Sequence, residues 1–359
     1  MFISLHPKIA GMLEEIVDKG KIYKLKEIID ESAQIVIVSH EMPDGDAIGS
    51  ALGLYHYLMP FSKQSIQVIV PNAFPEFLKW LPDAKDIFVF DTNHEMASQM
   101  VDEADLILCL DFNAVKRVGK MAPALVASRA CKVLIDHHLE PEIFGSLVIS
   151  QPELSSTSEL LFRIIYSLGD IDRIGQKAAE CFYTGMMTDT GAFSYNSNNS
   201  EIYLIINELL KKGIDKDEIY RKVYQVYSES RLRLMGYVLY KKMKLYPNLH
   251  TALFTLERDE LNHFRYKCGD TESFVNLPLS IKGIIFSVFL REERNFIKVS
   301  LRSSGDFPCN VFAAHFFSGG GHKNASGGEF YGSMENAVKA FEAGIALFNP
   351  NNFKKSRIR

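Results

Sequence analysis

Short apolar runs alternate with stretches of helical spacing over the first half of the chain. AQIVIVSH, ending at His40, reads as a buried strand, and AIGSALGLYHYLMP after it as a helix. SIQVIVP reads as a second strand and DIFVF as a short third. ADLILCLD is another, running to Asp111, and CKVLIDHH another, running to His137 and His138. STSELLFRIIYSLGD and GQKAAECFYTGMMTDTG have the apolar spacing of helices, with Ser and Thr near the first start. Strands alternating with helices predict an α/β domain with a largely parallel sheet covered on both faces, over residues 1–195.

The pattern then changes. The stretch from NSNNSEIYLIINELLKKG to YVLYKKM is polar at its start and helical after it, which predicts a helical linker over residues 196–235. Beyond it, HTALFTLER, IKGIIFSVFLREER and NFIKVSLRSSG are strand-like, and SMENAVKAFEAGIALF is a helix. A smaller α+β domain over residues 236–350 fits this order, with NNFKKSRIR as a frayed basic tail.

The ends of the first domain's elements carry the candidate chemistry. His40, Asp44 and Asp46 follow the first strand, Asp111 ends LILCLD, Asp136, His137 and His138 follow KVLI, and Asp189 sits in TGMMTDTGAF. In an open parallel sheet, residues just past the carboxyl ends of the strands line one crevice, so groups far apart in sequence can converge. Charged groups there cost free energy unless something positive meets them. Carboxylate oxygens mixed with imidazoles, without thiolates, suit manganese or a similar divalent ion, and the set is large enough for two ions with a bridging carboxylate. An Asp at a strand end is often only a helix N-cap, and D-x-D alone is weak. The joint occurrence of four such places in one domain is what favours a metal site.

The second domain carries FFSGGGHKNASGG. Gly319, Gly320 and Gly321 suit close backbone approach or positive φ, and His322 beside them is an anion or base contact; a plain turn is the bland alternative. Arg302, at the end of VSLRSSG, offers a guanidinium that forks onto phosphate.

Composition narrows the classes. The chain has 359 residues, is 47% hydrophobic and carries a formal net charge of −4, which predicts packed domains and argues against a duplex-coating basic protein. Cys109, Cys131, Cys181, Cys268 and Cys309 form no C-x-x-C pair and read as reduced thiols. MFISLHPKIAGMLEEI lacks the form of a signal peptide and no apolar run has the length of a membrane span, so the expectation is a soluble cytoplasmic protein.

The motifs HEMPDGDAIGS, the lone Asp111, DHH at 136–138 and TDTG at 188–191 resemble the DHH phosphoesterase superfamily. VSLRSSG and FSGGGHKNASGG resemble its DHH-associated C-terminal domain. The likeness covers nearly the whole chain and is greatest to the short two-domain branch of oligoribonucleases (nanoRNases) and pAp phosphatases, often labelled exopolyphosphatase-related.

The resemblance implies roles. His40, Asp44 and Asp111 would hold one manganese ion; Asp46, Asp111, His137 and Asp189 would hold the other. His138 would serve as acid or transition-state stabiliser, Asp136 would orient the histidines, and Arg117 would face the substrate. Arg302, Ser303, the glycines 319–321 and His322 would grip a nucleotide. Magnesium or cobalt are alternatives to manganese, and the family admits a homodimer. The expected reaction is hydrolysis of short single-stranded RNA, 3'-phosphoadenosine 5'-phosphate (pAp) or linear dinucleotides, with hydroxide held between two ions attacking phosphorus in line. The alternatives are an inorganic polyphosphate or pyrophosphate hydrolase, and a nucleotide-binding regulatory protein.

Overall fold

The structure is a computed structural model that describes residues 13–61, 64–267 and 269–348. The expected thiol Cys268 and the basic tail lie outside the described residues, as does most of the N-terminal segment read for a signal peptide. The chain divides into two compact units, residues 1–226 and 227–359.

In chain order the first unit contains α1 (Lys19–Glu31), β1 (Gln34–Val38), α2 (Gly45–Leu58), β2 (Ser65–Val70), β3 (Phe88–Val89), α3 (His94–Glu103) and β4 (Leu106–Leu110). It continues with α4 (Ala122–Ala127), β5 (Cys131–Asp136), β6 (Leu147–Ser150), α5 (Thr157–Ser167), α6 (Gln176–Asp189), α7 (Ser200–Lys211) and α8 (Lys216–Tyr224). The strands form one six-stranded sheet in the order β3-β2-β1-β4-β5-β6. Every pairing is parallel. All of β4 is buried, as expected for a strand covered on both faces. The chain leaves β1 toward β2 on one side and returns to β4 on the other, so the sheet's switch point lies between β1 and β4.

Register fixes what meets there. Val38 pairs with Cys109, which puts His40 and Asp111 level, two residues past the pair. Leu110 pairs with Ile135, which puts Asp111 level with Asp136.

Helices α2 and α6 run antiparallel in close contact, because one stripe of α2 is glycine. A Cβ at Gly45 would lie 2.2 Å from the Thr188 hydroxyl, one at Gly49 2.6 Å from the Cys181 carbonyl oxygen, and one at Gly53 2.4 Å from the Phe182 ring. This approach carries Asp46, at the start of α2, to the end of α6 where Asp189 stands.

Helices α7 and α8, read from the sequence as part of the connection, lie within the first unit and bury Ile202, Ile205, Leu209, Ile219 and Val223 in its core. Their polar start hides an amphipathic stripe that the sheet-covering helices accept.

The second unit contains α9 (Glu229–Tyr237), β7 (Lys244–Tyr246), β8 (Thr251–Leu256), α10 (Arg258–His263), β9 (Phe286–Glu292) and β10 (Ile297–Ser303). Then come α11 (Cys309–Phe316), β11 (Gly320–Gly321), β12 (Ala325–Phe330) and α12 (Met334–Leu347). Its six-stranded sheet has the order β11-β12-β10-β9-β8-β7. It is antiparallel except where β8 runs parallel to β9. α11 and α12 share one core with β9 and β10. The fold is therefore a parallel-sheet α/β domain followed by a smaller α+β domain.

Gly49→Ala should destabilise the first unit by about 1–3 kcal/mol, because the new methyl meets backbone of α6 rather than a movable side chain. Gly236→Ala, in α9 with open space around it, should be neutral or stabilising by about 0.5–1 kcal/mol. Urea unfolding of both variants checks the contrast.

Candidate metal centre

Each side chain of the cluster is set by the local end of its element. Asp44 is the N-cap of α2: its Oδ1 accepts from the Asp46 N–H at 3.1 Å and the Ala47 N–H at 3.0 Å. Its other oxygen, Oδ2, stands 3.8 Å from His40 Nε2. The N-cap alternative weighed for strand-end aspartates thus applies to Asp44, and it leaves one oxygen turned to the site. Asp111 adopts a left-handed backbone, φ +63°, immediately after β4. For an aspartate this conformation is uncommon and is tolerated where it re-aims a side chain. Asp189 is the last residue of α6, and the following Thr190 caps the helix by donating its N–H to the Met186 carbonyl.

Two of the sets that the donor atoms form hold the expected ligands. His40, Asp44 and Asp111 form one, and Asp46, His137 and Asp189 form another, with the ligand atoms of each set within 4.8 Å of one another. Asp111 faces both: Oδ2 is 3.5 Å from His40 Nε2, and Oδ1 is 3.6 Å from His137 Nε2. His137 Nε2 also lies 3.4 Å from Asp189 Oδ2 and 4.0 Å from Asp46 Oδ2. His138 Nδ1 lies 2.7 Å from Asp136 Oδ1 and 3.9 Å from Asp111 Oδ1. The same Asp136 accepts the His138 backbone N–H at 3.1 Å, so the ring and its peptide are held by one carboxylate.

The tautomers follow from the partners. His40 Nδ1 lies 2.9 Å from the Glu41 carbonyl, and His137 Nδ1 lies 3.2 Å from the Leu154 carbonyl. A carbonyl only accepts, so each Nδ1 carries a proton, and in the neutral ring Nε2 presents its lone pair to the carboxylates. A lone pair facing carboxylate oxygens at 3.4–3.8 Å is repulsive in isolation and becomes favourable with a cation between them. This is the test of fit, and the residues fit a divalent cation with oxygen and imidazole ligands.

The electrostatics agree. Burial, then the neighbouring charges of Asp46, Asp44, Asp189 and Asp136, push the Asp111 carboxyl well above the usual carboxylate range. Burial likewise raises Asp46. Burial lowers His40 to about 4, with Arg117 acting in the same direction and Asp44 against it. For His137 burial opposes the charged form, yet Asp189, Asp46 and Asp136 outweigh it and the pKa rises. Asp136 stays below the usual range despite its burial because it accepts from His138. Carboxylates forced together in a buried site await positive charge.

Arg117 is exposed on the turn after β4, and its carbonyl accepts the Glu41 N–H at 2.7 Å, tying the loops that carry Asp111 and His40. In the second unit Arg302 is the second-to-last residue of β10, half-buried, with one guanidinium N–H on the Leu301 carbonyl at 2.9 Å. Ser303 is buried and hydrogen-bonded to the Phe307 carbonyl and to Asn324. The glycine run, for which a plain turn was the bland alternative, is in part a strand: Gly320 and Gly321 pair with Gly327 and Ser326. A Cβ at Gly319 would fall 2.0 Å from the Gly327 carbonyl oxygen, so the hairpin closes only with glycine there. The carbonyl of His322, just beyond it, accepts from the Ser326 hydroxyl at 2.7 Å. Sequence reading overlooked Thr157 and Ser158, whose N–H groups bind Asp46. The polar run before LLFRII carries only the local signal of a helix start.

A buried carboxylate and imidazole cluster at the switch point of a parallel sheet is a candidate metal-binding site, and the chain belongs to the DHH family of phosphoesterases. The DHH family N-terminal domain matches residues 34–186, and the DHHA1 domain matches residues 251–346. The bifunctional oligoribonuclease and PAP phosphatase NrnA of Thermus thermophilus is 30% identical over 298 residues, which are 83% of this chain and 84% of that one. The NrnA of Bacillus subtilis is 26% identical over 301 residues, 83% of this chain and 89% of its own. The crystal structure of an exopolyphosphatase-related protein from Bacteroides fragilis shares 57% identity and a TM-score of 0.88, covering 93% of this chain and 98% of that one. Among the described residues no helix is long and apolar enough to cross a membrane.

A pH prediction follows from the crowding. A carboxyl whose folded pKa is raised stabilises the fold below its unfolded pKa, and that contribution is lost as pH rises through the folded value. Metal-free Asp111→Asn should therefore melt higher than the metal-free wild type at neutral pH, on the order of a few °C. The difference should shrink on acidification toward the ordinary carboxylate range, and excess manganese should reverse it. Calorimetry across pH, with and without metal, checks all three signs.

Proposed function

We propose that the protein is a two-metal phosphoesterase that hydrolyses short oligoribonucleotides and pAp, and linear dinucleotides with them. The observation that carries this reading is Asp111, one carboxylate with an oxygen toward each ligand set. His40, Asp44 and Asp111 would hold one cation and Asp46, Asp111, His137 and Asp189 the other, with manganese the preferred ion for this mixture of oxygen and imidazole donors. When bound, such a pair activates water and neutralises charge on the phosphoryl oxygens.

The chain's own groups complete the chemistry. The Glu41 and Leu154 carbonyls keep the Nε2 atoms of His40 and His137 aimed inward. Asp136 anchors His138 through Nδ1, so Nε2 is the atom that can hold a proton for the leaving oxygen. Arg117, exposed beside the ligand loops, supplies a guanidinium for a substrate phosphate. Arg302, Ser303, the glycines 319–321 and His322 are the residues proposed to select a nucleotide end. The NrnA relatives support the nucleotide substrates. The label of the 57% identical structure supports a second reading, in which the same metal residues act on inorganic polyphosphate.

A substrate panel with manganese separates the two. Chelator-sensitive cleavage of pAp, a linear dinucleotide and a five-nucleotide RNA, lost in Asp111→Asn, is the expected outcome. Preference for pyrophosphate or long polyphosphate would keep the metal residues and overturn the nucleotide assignment. His322→Ala should cut kcat/KM on nucleotides about ten-fold, the loss of one charge-assisted hydrogen bond, while sparing bis-p-nitrophenyl phosphate. Equal losses on both substrates would remove His322 from the specificity residues.

A further inference from the structure

Helix α5 begins with an arrangement that its own capping does not require. Ser156 is the N-cap, extended at φ −166° and ψ 160°, and its hydroxyl accepts the Glu159 N–H at 3.0 Å. The N–H groups of Thr157 and Ser158 are among those a helix leaves without an internal partner. Both go to a carboxylate more than a hundred residues away: Thr157 N–H donates to Asp46 Oδ2 at 2.6 Å and Ser158 N–H to Asp46 Oδ1 at 3.0 Å. The two bonds use both oxygens, so they fix the plane of the carboxylate. The Thr157 hydroxyl meanwhile donates to Asp111 Oδ1 at 2.9 Å. That is the Asp111 oxygen that faces His137.

We propose that Thr157 is a positioning residue for the metal centre, one side chain that locks Asp46 and Asp111 into a common geometry and so sets the second ion's affinity. Its backbone serves a carboxylate of one ligand set and its hydroxyl serves the carboxylate shared by both. Thr157 is fully buried, so water does not substitute for its hydroxyl. A β-branched side chain at a helix start has restricted χ1, which aims the hydroxyl with little entropic cost. The inference rests on the two-metal reading above.

The helix that presents Thr157 is itself fastened. Ser155 donates its N–H and hydroxyl to Glu159 Oε2 at 3.0 and 2.6 Å. Glu159 Oε1 accepts from Arg163 Nε at 2.9 Å, and Arg163 reaches on to Glu201 of α7. Glu159 and Arg163 are 2% and 3% exposed, so this ion pair lies in the low-dielectric interior and resists rotation of the first turn. On the other side, a Cβ at Gly185 of α6 would lie 2.0 Å from the Ser158 hydroxyl and 2.7 Å from Asp46 Oδ1. The glycine there lets α6 close against the pair without displacing it. Thr157 therefore stands between a rigid support and two ligands, the placement by which groups behind the ligands tune metal affinity, commonly ten- to a hundred-fold.

The test compares Thr157→Val, which keeps the shape and the N–H but removes the hydroxyl, with Thr157→Ser, which restores it. The probe is Mn(II) alone, read by calorimetric titration and by the electron paramagnetic resonance of the exchange-coupled pair. Wild type should bind two ions. Thr157→Val should bind one of them about ten- to a hundred-fold more weakly and lose the coupled signal at low manganese. Thr157→Ser should recover most of the affinity. Unchanged binding in Thr157→Val would overturn the inference, as would equal weakening in Val and Ser with lower metal-free melting temperatures, which would mean packing. If Thr157→Val does not fold, Thr157→Ala carries the same comparison. A wild type that binds fewer than two ions would instead refute the two-metal reading on which this rests.

Discussion

The first unit is organised around a repulsion. Asp44, Asp46, Asp111, Asp136 and Asp189 converge on one end of a parallel sheet, and most of them are buried. The imidazoles among them do not cancel the charge: burial lowers His40 to about 4, and His137, raised by Asp189, Asp46 and Asp136 against its burial, is one cation at most among five carboxyl groups. Marginal folding free energies do not normally tolerate such a cluster. Here the surrounding structure imposes it: paired register sets His40, Asp111 and Asp136 level, and glycine-mediated packing of α2 on α6 brings Asp46 to Asp189. The fold holds these groups in place, and a cation between them would relieve the repulsion.

Division of labour among carboxylate oxygens is the device that keeps the cluster ordered. Asp44 spends one oxygen on the cap of α2 and turns the other inward. Asp46 is pinned by two backbone N–H groups of α5, and Asp111 by one threonine hydroxyl. Asp136 spends both oxygens on His138. Asp44, Asp46 and Asp111 are therefore both structural acceptors and groups presented to the crevice, which is how a site gains precision without mobile side chains.

Much of this was readable from residues. The apolar runs that stop at His40, Asp111 and Asp136 are strands, and the crevice rule for parallel sheets predicts their convergence. The left-handed backbone of Asp111 was not readable, since φ depends on where the chain must go next. Thr157 looked like a helix start because its long-range partners leave no local trace. LVIS in β6 is short and half-exposed at a sheet edge, so its pattern is faint. ASGGEF in β12 has poor strand propensity, yet Gly319 and Gly328 permit backbone contacts that a side chain would block. Helices α7 and α8 join the first core through a stripe that a polar opening concealed.

The most direct test of the central claim is anomalous diffraction from crystals grown with manganese. The account predicts two anomalous peaks on either side of the Asp111 carboxylate, about 3.5–4 Å apart. One peak belongs near His40 and Asp44, the other near Asp46, His137 and Asp189. A single peak, or peaks away from Asp111, would contradict it.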